Sequence, residues 1–203
     1  MYALVKNDNI EKIINNPKTM IIDDVQYPAK IFQLWSSSEL NAIGIYEVIT
    51  DSSNYKDETY YINTNAEYNF ANEQVTRSWG TATPKRLEDE DAVDEDGENI
   101  LDDDGNQVIN YGLKTEKKRI VKQQASGLLE KTDWHNHKAL DDDTYTIPDN
   151  IKSYRAEVRA KSNEMETQIN ACTTVDELKA LYEYTEQEDG TQTRPLAEFP
   201  KEI

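Results

Sequence analysis

The chain has 203 residues, an apolar share of 36% and a net charge of −18 at pH 7. An apolar share below the usual ~45–50% predicts small cores or support from a partner, and the excess of acidic residues disfavours nucleic acid and anionic membranes as partners. No apolar run approaches the ~20 residues that span a bilayer, and the first residues hold no signal-peptide core. We therefore expect an unsecreted, soluble chain that forms one domain or two small ones.

Residues 1–85 alternate short apolar runs with turn-forming residues, which predicts an antiparallel β-rich head. The turn signals include KNDN, IDDV and FANEQ. One short helix interrupts the strands, because Ser36 and Glu39 have the spacing of a capping box. Gly44 is expected to end this helix before a strand at residues 45–49.

Residues 86–111 predict an acidic β-ribbon that connects two structured parts. Positions 86–110 carry eleven acidic residues and one basic residue, too polar a composition for a core. VDEDGENI at 93–100 and LDDDGNQV at 101–108 form a repeat of period eight whose Asp-Gly pairs predict two consecutive β-turns. An EF-hand register with glycine sixth begins at Ala92 or Ile100, neither of which is a calcium ligand, so specific calcium binding is disfavoured but stays open.

From residue 112 the apolar period becomes helical, which predicts a helical hairpin domain over residues 112–185. Asp149 is the expected N-cap of the second long helix, and Thr174 with Glu177 forms a capping box for a short third helix. Residues 186–203 contain prolines and no period, so they predict an extended or disordered tail. The fold class is α+β, with the head first, the ribbon between and the helices last.

No pattern predicts catalysis or a cofactor. A single Cys172 excludes an internal disulfide and a thiolate zinc cluster, and the phosphate-loop, nucleophile-elbow and zincin motifs are missing. His135 and His137 would share one face of a strand and provide two metal ligands, but a solvated loop is the favoured interpretation. The basic run from Lys114 to Lys122 is expected to neutralise the ribbon or to face solvent. We predict no enzyme activity, no metal and no nucleic-acid binding.

Residues 113–160 carry the motifs GLLEKTDW, IP and YRAEVR in that order. This order resembles the tail assembly chaperone family of tailed bacteriophages, whose members have a Leu-Leu-x-x-Thr-Asp-Trp element, a proline-containing linker and a Tyr-Arg-x-x-Leu-Arg helix. Val158 replaces the commoner leucine. The matching positions are Leu128, Leu129, Thr132, Asp133, Trp134, Pro148, Tyr154, Arg155, Val158 and Arg159.

A second stretch, YPAKIFQLWSSSELNAIGIYEV, is similar to a segment of phage tail-fibre-associated proteins, and the overall order is similar to small tail proteins of marine phages that infect cyanobacteria. The resemblance implies a non-enzymatic tail or tail-fibre assembly chaperone, or a tail-associated virion protein. Its implied partner is a tail fibre or another tail subunit, with self-association left open. Its implied location is the host cytoplasm during assembly, with the virion tail as the alternative.

The motif also has a physical interpretation. Leu128 and Leu129 end one helix, Thr132 or Asp133 caps the next turn, and a buried Trp134 is expected to close the hairpin against Tyr154 and Val158. On this hypothesis Trp134→Ala unfolds the hairpin. Arg155 and Arg159 share a helix face, where they either form surface salt bridges to Glu130 or to residues 141–143, or grip a partner's carboxylates.

A rival hypothesis makes the chain a virion adhesin or accessory module. In it the β-rich head binds a host surface glycan through exposed Tyr60, Tyr61 and Trp79, although ordinary packing of these rings on the sheet is the alternative.

Overall fold

The computed structural model describes residues 1–203, which divide into two compact units, Met1–Thr83 and Pro84–Ile203. The protein is mixed α+β with six helices and thirteen strands, so the predicted fold class is confirmed. The division falls beside the predicted boundary at residue 85, and the acidic ribbon and the helices belong to the same unit. No helix combines the length and the apolar character that crossing a lipid bilayer requires.

The first unit is built from short strands and two short helices. Five strands form one sheet in the order β2-β1-β5-β8-β7, and the sheet curls until its edge strands β2 and β7 approach each other. The elements are β1 (Tyr2–Lys6), β2 (Asn9–Ile14), β3 (Met20–Ile22), β4 (Val25–Tyr27), α1 (Ile31–Leu34), α2 (Ser37–Asn41), β5 (Ile45–Thr50), β6 (Tyr61–Ile62), β7 (Glu67–Ala71), β8 (Gln74–Ser78) and β9 (Thr83–Pro84), the last of which spans the division.

One strand pair departs from the predicted antiparallel head. β5 and β8 run parallel, with Val48 opposite Val75. The reason lies in the connection between them, since the chain leaves β5, forms β6 and β7 and then returns in the direction of β5. The other pairs of the sheet are antiparallel.

Three two-residue turns close the hairpins of this unit. Asn7–Asp8, Asp23–Asp24 and Asn72–Glu73 all have φ between 48° and 62°, the left-handed region that two-residue hairpin turns require. These are the turns that KNDN, IDDV and FANEQ predict, because asparagine and aspartate tolerate positive φ better than other side chains.

The predicted capping box of α2 is present. The Ser36 hydroxyl accepts a hydrogen bond from the Glu39 amide at 3.3 Å, and the Glu39 carboxylate accepts one from the Ser36 amide at 2.7 Å. Gly44 follows with φ +80, and a Cβ there would lie 2.6 Å from the Val5 carbonyl oxygen. The helix is thereby stopped and β5 begins at Ile45, against a core that includes Leu4, Ile14, Ile22, Ile31, Phe32 and Leu40.

The second unit contains the ribbon and four helices. Its elements are β10 (Glu90–Asp91), β11 (Ile109–Asn110), α3 (Leu113–Glu130), α4 (Asp133–Asp141), α5 (Asp149–Ala171), α6 (Val175–Ala180), β12 (Thr185–Glu186) and β13 (Gln192–Thr193). Helices α3 and α5 are antiparallel, since Lys122 near the middle of α3 pairs with Glu166 and the C-terminal end of α3 meets Arg155. The buried residues of α5 include Tyr154, Val158, Met165 and Ile169.

The period-eight repeat forms a triangular hub, which we define as the backbone of Ala92, Ile100 and Val108. Ala92 donates to the Val108 carbonyl at 2.8 Å, Ile100 to Ala92 at 2.9 Å and Val108 to Ile100 at 2.9 Å. Each seven-residue segment between these corners folds back on itself through one bridge, Val93 to Asn99 and Leu101 to Gln107. The predicted turns are therefore present and meet at one point.

Two predictions for this unit are wrong. The segment after Trp134 is not a solvated loop, because positions 133–141 are the helix α4. Asp149 begins α5 but makes no side-chain cap, and the N-cap position is Pro148. Of the two alternatives for residues 186–203, the extended one is present at positions 194–203, which lie outside any helix or strand and are held by hydrogen bonds to the Gln168 side chain. The capping box of Thr174 and Glu177 is present as predicted.

Candidate functional site

The residues of the Thr-Asp-Trp and Tyr-Arg motifs meet at the turn between α3 and α4. Arg155 on α5 donates to the Leu129 carbonyl at 2.8 Å and to the Thr132 hydroxyl at 2.7 Å. Its guanidinium also lies 2.7 Å from the Asp133 carboxylate. We call these four residues the Arg155 clamp. A guanidinium suits this place because its donors point in several fixed directions at once.

The clamp gives Arg155 a different role from the predicted grip on a partner. Arg155 is 7% exposed, so it binds inside its own unit and not at the surface. Thr132 is buried as well, and its hydroxyl donates to the Leu129 carbonyl instead of capping α4. Arg159 is exposed and makes only a 3.3 Å hydrogen bond to the Arg155 carbonyl on its own helix. Of the two arginines, only Arg159 faces solvent.

The hairpin core beside the clamp holds the remaining motif residues. Tyr154 and Val158 are buried with Ala125, and Leu128 and Leu129 pack against them from α3. Pro148 stands immediately before α5, where its missing N–H costs no helical hydrogen bond. The motif is therefore largely an internal framework.

Trp134 is the exception, and its predicted burial is wrong. The side chain is 55% exposed, although it follows directly on Asp133 of the clamp. One face of the indole stacks on His135, with ring centroids 3.7 Å apart. Tyr145 extends the group, which we call the Trp134 shelf and define as Trp134, His135 and Tyr145.

His135 is the buried member of the shelf. It is 8% exposed, and its Nδ1 lies 2.5 Å from the Tyr145 hydroxyl. On the helix α4 the side chains of His135 and His137 diverge, because positions two apart do not share a helix face. The strand arrangement that would pair them as metal ligands is therefore absent, the favoured solvated loop is a helix in which His135 is buried, and no three His, Cys, Asp or Glu side chains are arranged to hold a metal ion.

Comparison of the chain with protein-family models, curated proteins and solved structures gives no match.

The basic run of α3 binds within its own unit. Lys114 is buried and pairs with Glu88 of the ribbon, Lys118 bonds to Asn170 at 3.0 Å and Lys122 lies 3.3 Å from Glu166. Arg119 pairs with Glu116 on its own helix, 2.8 Å away. Lys114 thus neutralises the ribbon, and the side chains of Arg119 and Lys122 are more than half exposed, so both predicted alternatives occur within the run.

The aromatic residues predicted for glycan binding are differently exposed. Tyr60 and Tyr61 are 5% and 4% exposed, so they cannot stack on a sugar. Trp79 is half-buried, with its ring 4.9 Å from Tyr55 and 4.5 Å from the guanidinium of Arg77.

Two residues had not been predicted from the sequence: Tyr145, which is part of the Trp134 shelf, and Phe199, which packs on the hairpin core. A signal for Tyr145 was present, since it is the one aromatic residue between Trp134 and the proline that opens α5. Phe199 gave no periodic signal, because it lies outside any helix or strand.

Proposed function

We propose that this protein is a non-enzymatic binding protein of bacteriophage tail or tail-fibre assembly, acting as a chaperone or as a tail-associated virion protein. The observation that carries the proposal is the Arg155 clamp. Residues that resemble the family's two motifs lie 23 and 26 positions apart in sequence and yet bond directly to each other. These direct bonds make the two motifs one structural unit, which supports a common function for them.

The clamp also supports one residue as the contact with the partner. By fixing the turn between α3 and α4, it holds the first turn of α4 in place, and Trp134 projects from that turn. Tryptophan is enriched at the centre of protein interfaces, because its large rigid ring buries much apolar area at a low entropic cost. We assign Trp134 as the contact to a tail fibre or another tail subunit, with Arg159 one further exposed candidate.

The net charge of −18 fits a protein that is present beside phage DNA without binding it. The rival glycan-binding hypothesis loses two of its three rings, because Tyr60 and Tyr61 are buried.

The test is co-expression of the tail fibre encoded nearest to this gene with the wild-type chain, with Trp134→Ala and with Tyr111→Ala. Tyr111 is a matched control, since it is an aromatic residue of the same unit and 62% exposed. We expect soluble, trimeric fibre with the wild type and with Tyr111→Ala, and less of it with Trp134→Ala. Fibre that is equally soluble without any of these chains contradicts the chaperone role.

Mass spectrometry of purified virions separates the two forms of the proposal. A transient chaperone acts in the host cytoplasm and is absent from the particle, whereas a tail-associated protein is present in it.

A further inference from the structure

The C-terminal arm, which we define as residues 194–203, binds the helical hairpin as a peptide ligand would. It belongs to no helix or strand. Gln168 on α5 donates to the Pro195 carbonyl at 3.0 Å and accepts from the Ala197 amide at 2.8 Å. One side-chain amide thus holds the backbone on both sides of Leu196. These two hydrogen bonds involve backbone atoms of the arm, so they do not depend on its side chains.

Apolar and charged contacts continue along the arm. Leu196 is 1% exposed and its amide donates to the Leu181 carbonyl at 3.0 Å. Three residues further, Phe199 packs on the cluster of Ala125, Tyr154 and Val158. Near the end, Glu202 lies 2.5 Å from Lys131. The arm is anchored at successive points along a surface of α3, α5 and α6, which we call the arm groove.

The segment that leads into the arm can change its position without exposing buried residues. Residues 183–193 are exposed at every position. They form the small β12–β13 hairpin, whose turn has Gly190 at φ +79. Because this hairpin buries nothing, swinging it away changes little except the contacts of the arm itself.

We propose that the arm groove also binds the arm of a second copy of this chain, so that copies associate by exchanging arms. A second copy is the occupant that fits, because it carries the same spacing of Leu196 and Phe199 and the same Glu202 for Lys131. The exchange forms the same contacts that the closed monomer has, so the balance depends on protein concentration and on strain in the connection. The inference does not depend on what Trp134 binds.

The first experiment uses the full-length chain with Leu196→Ala and Phe199→Ala, called the arm variant, and a fluorescent peptide of residues 194–203. We expect the arm variant to bind the peptide saturably. We expect the wild type to bind the peptide at least about tenfold more weakly than the arm variant does, because its own arm occupies the groove. A peptide with the same two alanines does not bind. An arm variant that has wild-type circular dichroism but ignores the peptide overturns the proposal.

The second experiment keeps every native contact and tests the occupant. Two wild-type populations with different affinity tags are unfolded in urea, mixed at high concentration and refolded. We expect mixed dimers that survive two successive affinity steps, and a large loss of them when both populations are the arm variant, because its arm binds neither its own groove nor that of a second copy. Gln123→Ala, an exposed glutamine on α3, is the control and leaves the yield unchanged. No mixed dimers from the wild type, or an equal yield from the arm variant, overturns the second copy as the occupant.

Discussion

Arg155 and Asp133 form an ion pair of 2.7 Å in which the arginine side chain is 9% exposed and the carboxylate is 46% exposed. The two partners therefore differ in what they lose when the pair is broken. Asp133 can turn to water, whereas a buried Arg155 without its acceptors keeps an unpaired charge in a poorly solvated place. The arginine is the residue on which the turn between α3 and α4 depends.

Arg155→Ala is expected to lower the free energy of unfolding by about 2–4 kcal/mol, because it removes a buried side chain together with its hydrogen bonds to Thr132 and Leu129 and its ion pair with Asp133. Arg155→Lys recovers only part of this, since the three donors of an ammonium sit on one nitrogen and cannot reproduce the spread of the guanidinium over separate acceptors. Asp133→Asn costs about 1 kcal/mol, the value of a half-exposed pair. Urea unfolding measures all three. Arg159→Ala is the control, and a loss as large as that of Arg155→Ala contradicts the clamp.

Trp134→Ala is expected to lower the free energy of unfolding by about 1 kcal/mol or less, because the ring is more than half exposed. Tyr154→Ala in the core costs about 3–5 kcal/mol. Thermal unfolding of both variants gives the comparison. Unfolding of the unit by Trp134→Ala would instead support the sequence hypothesis that a buried Trp134 closes the hairpin.

Two glycines of the helical unit are expected to respond in opposite ways to alanine. A Cβ at Gly112 would lie 2.3 Å from the Glu88 carbonyl oxygen, so Gly112→Ala forces the ribbon away from the start of α3. Gly127 lies inside α3 with nothing within 4 Å of the added Cβ. Gly127→Ala therefore stabilises by about 0.5–1 kcal/mol, the difference in helix propensity. Melting temperatures that shift in the same direction contradict this packing.

The cap of α6 gives a prediction in pH. Backbone and hydroxyl hydrogen bonds from Thr173, with a further backbone hydrogen bond from Thr174, hold the pKa of Glu177 below its ordinary value. A lowered pKa contributes stability that is fully present above the unfolded value of about 4 and disappears as the pH falls through the folded value. Glu177→Gln should thus lower the melting temperature at pH 7 and have progressively less effect below pH ~4.

The measurement is the difference in melting temperature between the wild type and Glu177→Gln at each pH. Taking this difference removes the effect of the other acidic groups, which titrate in both proteins. Glu95→Gln, on a turn tip far in sequence from any cap, is the control for removing one negative charge. A gap between wild type and Glu177→Gln that stays constant from pH 7 to pH ~3 speaks against the cap.

Local chemistry made much of the fold predictable. The capping boxes at Ser36 and Thr174, the positive-φ turns and the glycine turns of the ribbon all depend on residues within a few positions of each other, which a sequence displays directly. The helical hairpin was predictable from its period for the same reason.

The site was less predictable, because its contacts join distant positions. Arg155 and Arg159 look alike in sequence, and only the packing of α5 on α3 decides that one is buried and the other exposed. Trp134 was expected inside because of its size, yet His135 and Tyr145 support it at the surface. The lack of a period left an extended and a disordered tail both open, because the contacts that decide between them come from Gln168 and the hairpin core, which lie far away in sequence.

The triangular hub is held together by hydrogen bonds among its three corner residues, and its two loop tips take no part in these hydrogen bonds. At Gly97 and Gly105 an added Cβ would meet nothing within 4 Å, and the tips use their own Asp94 and Asp102 to fix the turn. Foreign sequence can therefore be grafted at either tip while the corners keep their mutual hydrogen bonds, which makes these loops suitable places for an epitope or a fluorescent reporter on the folded protein.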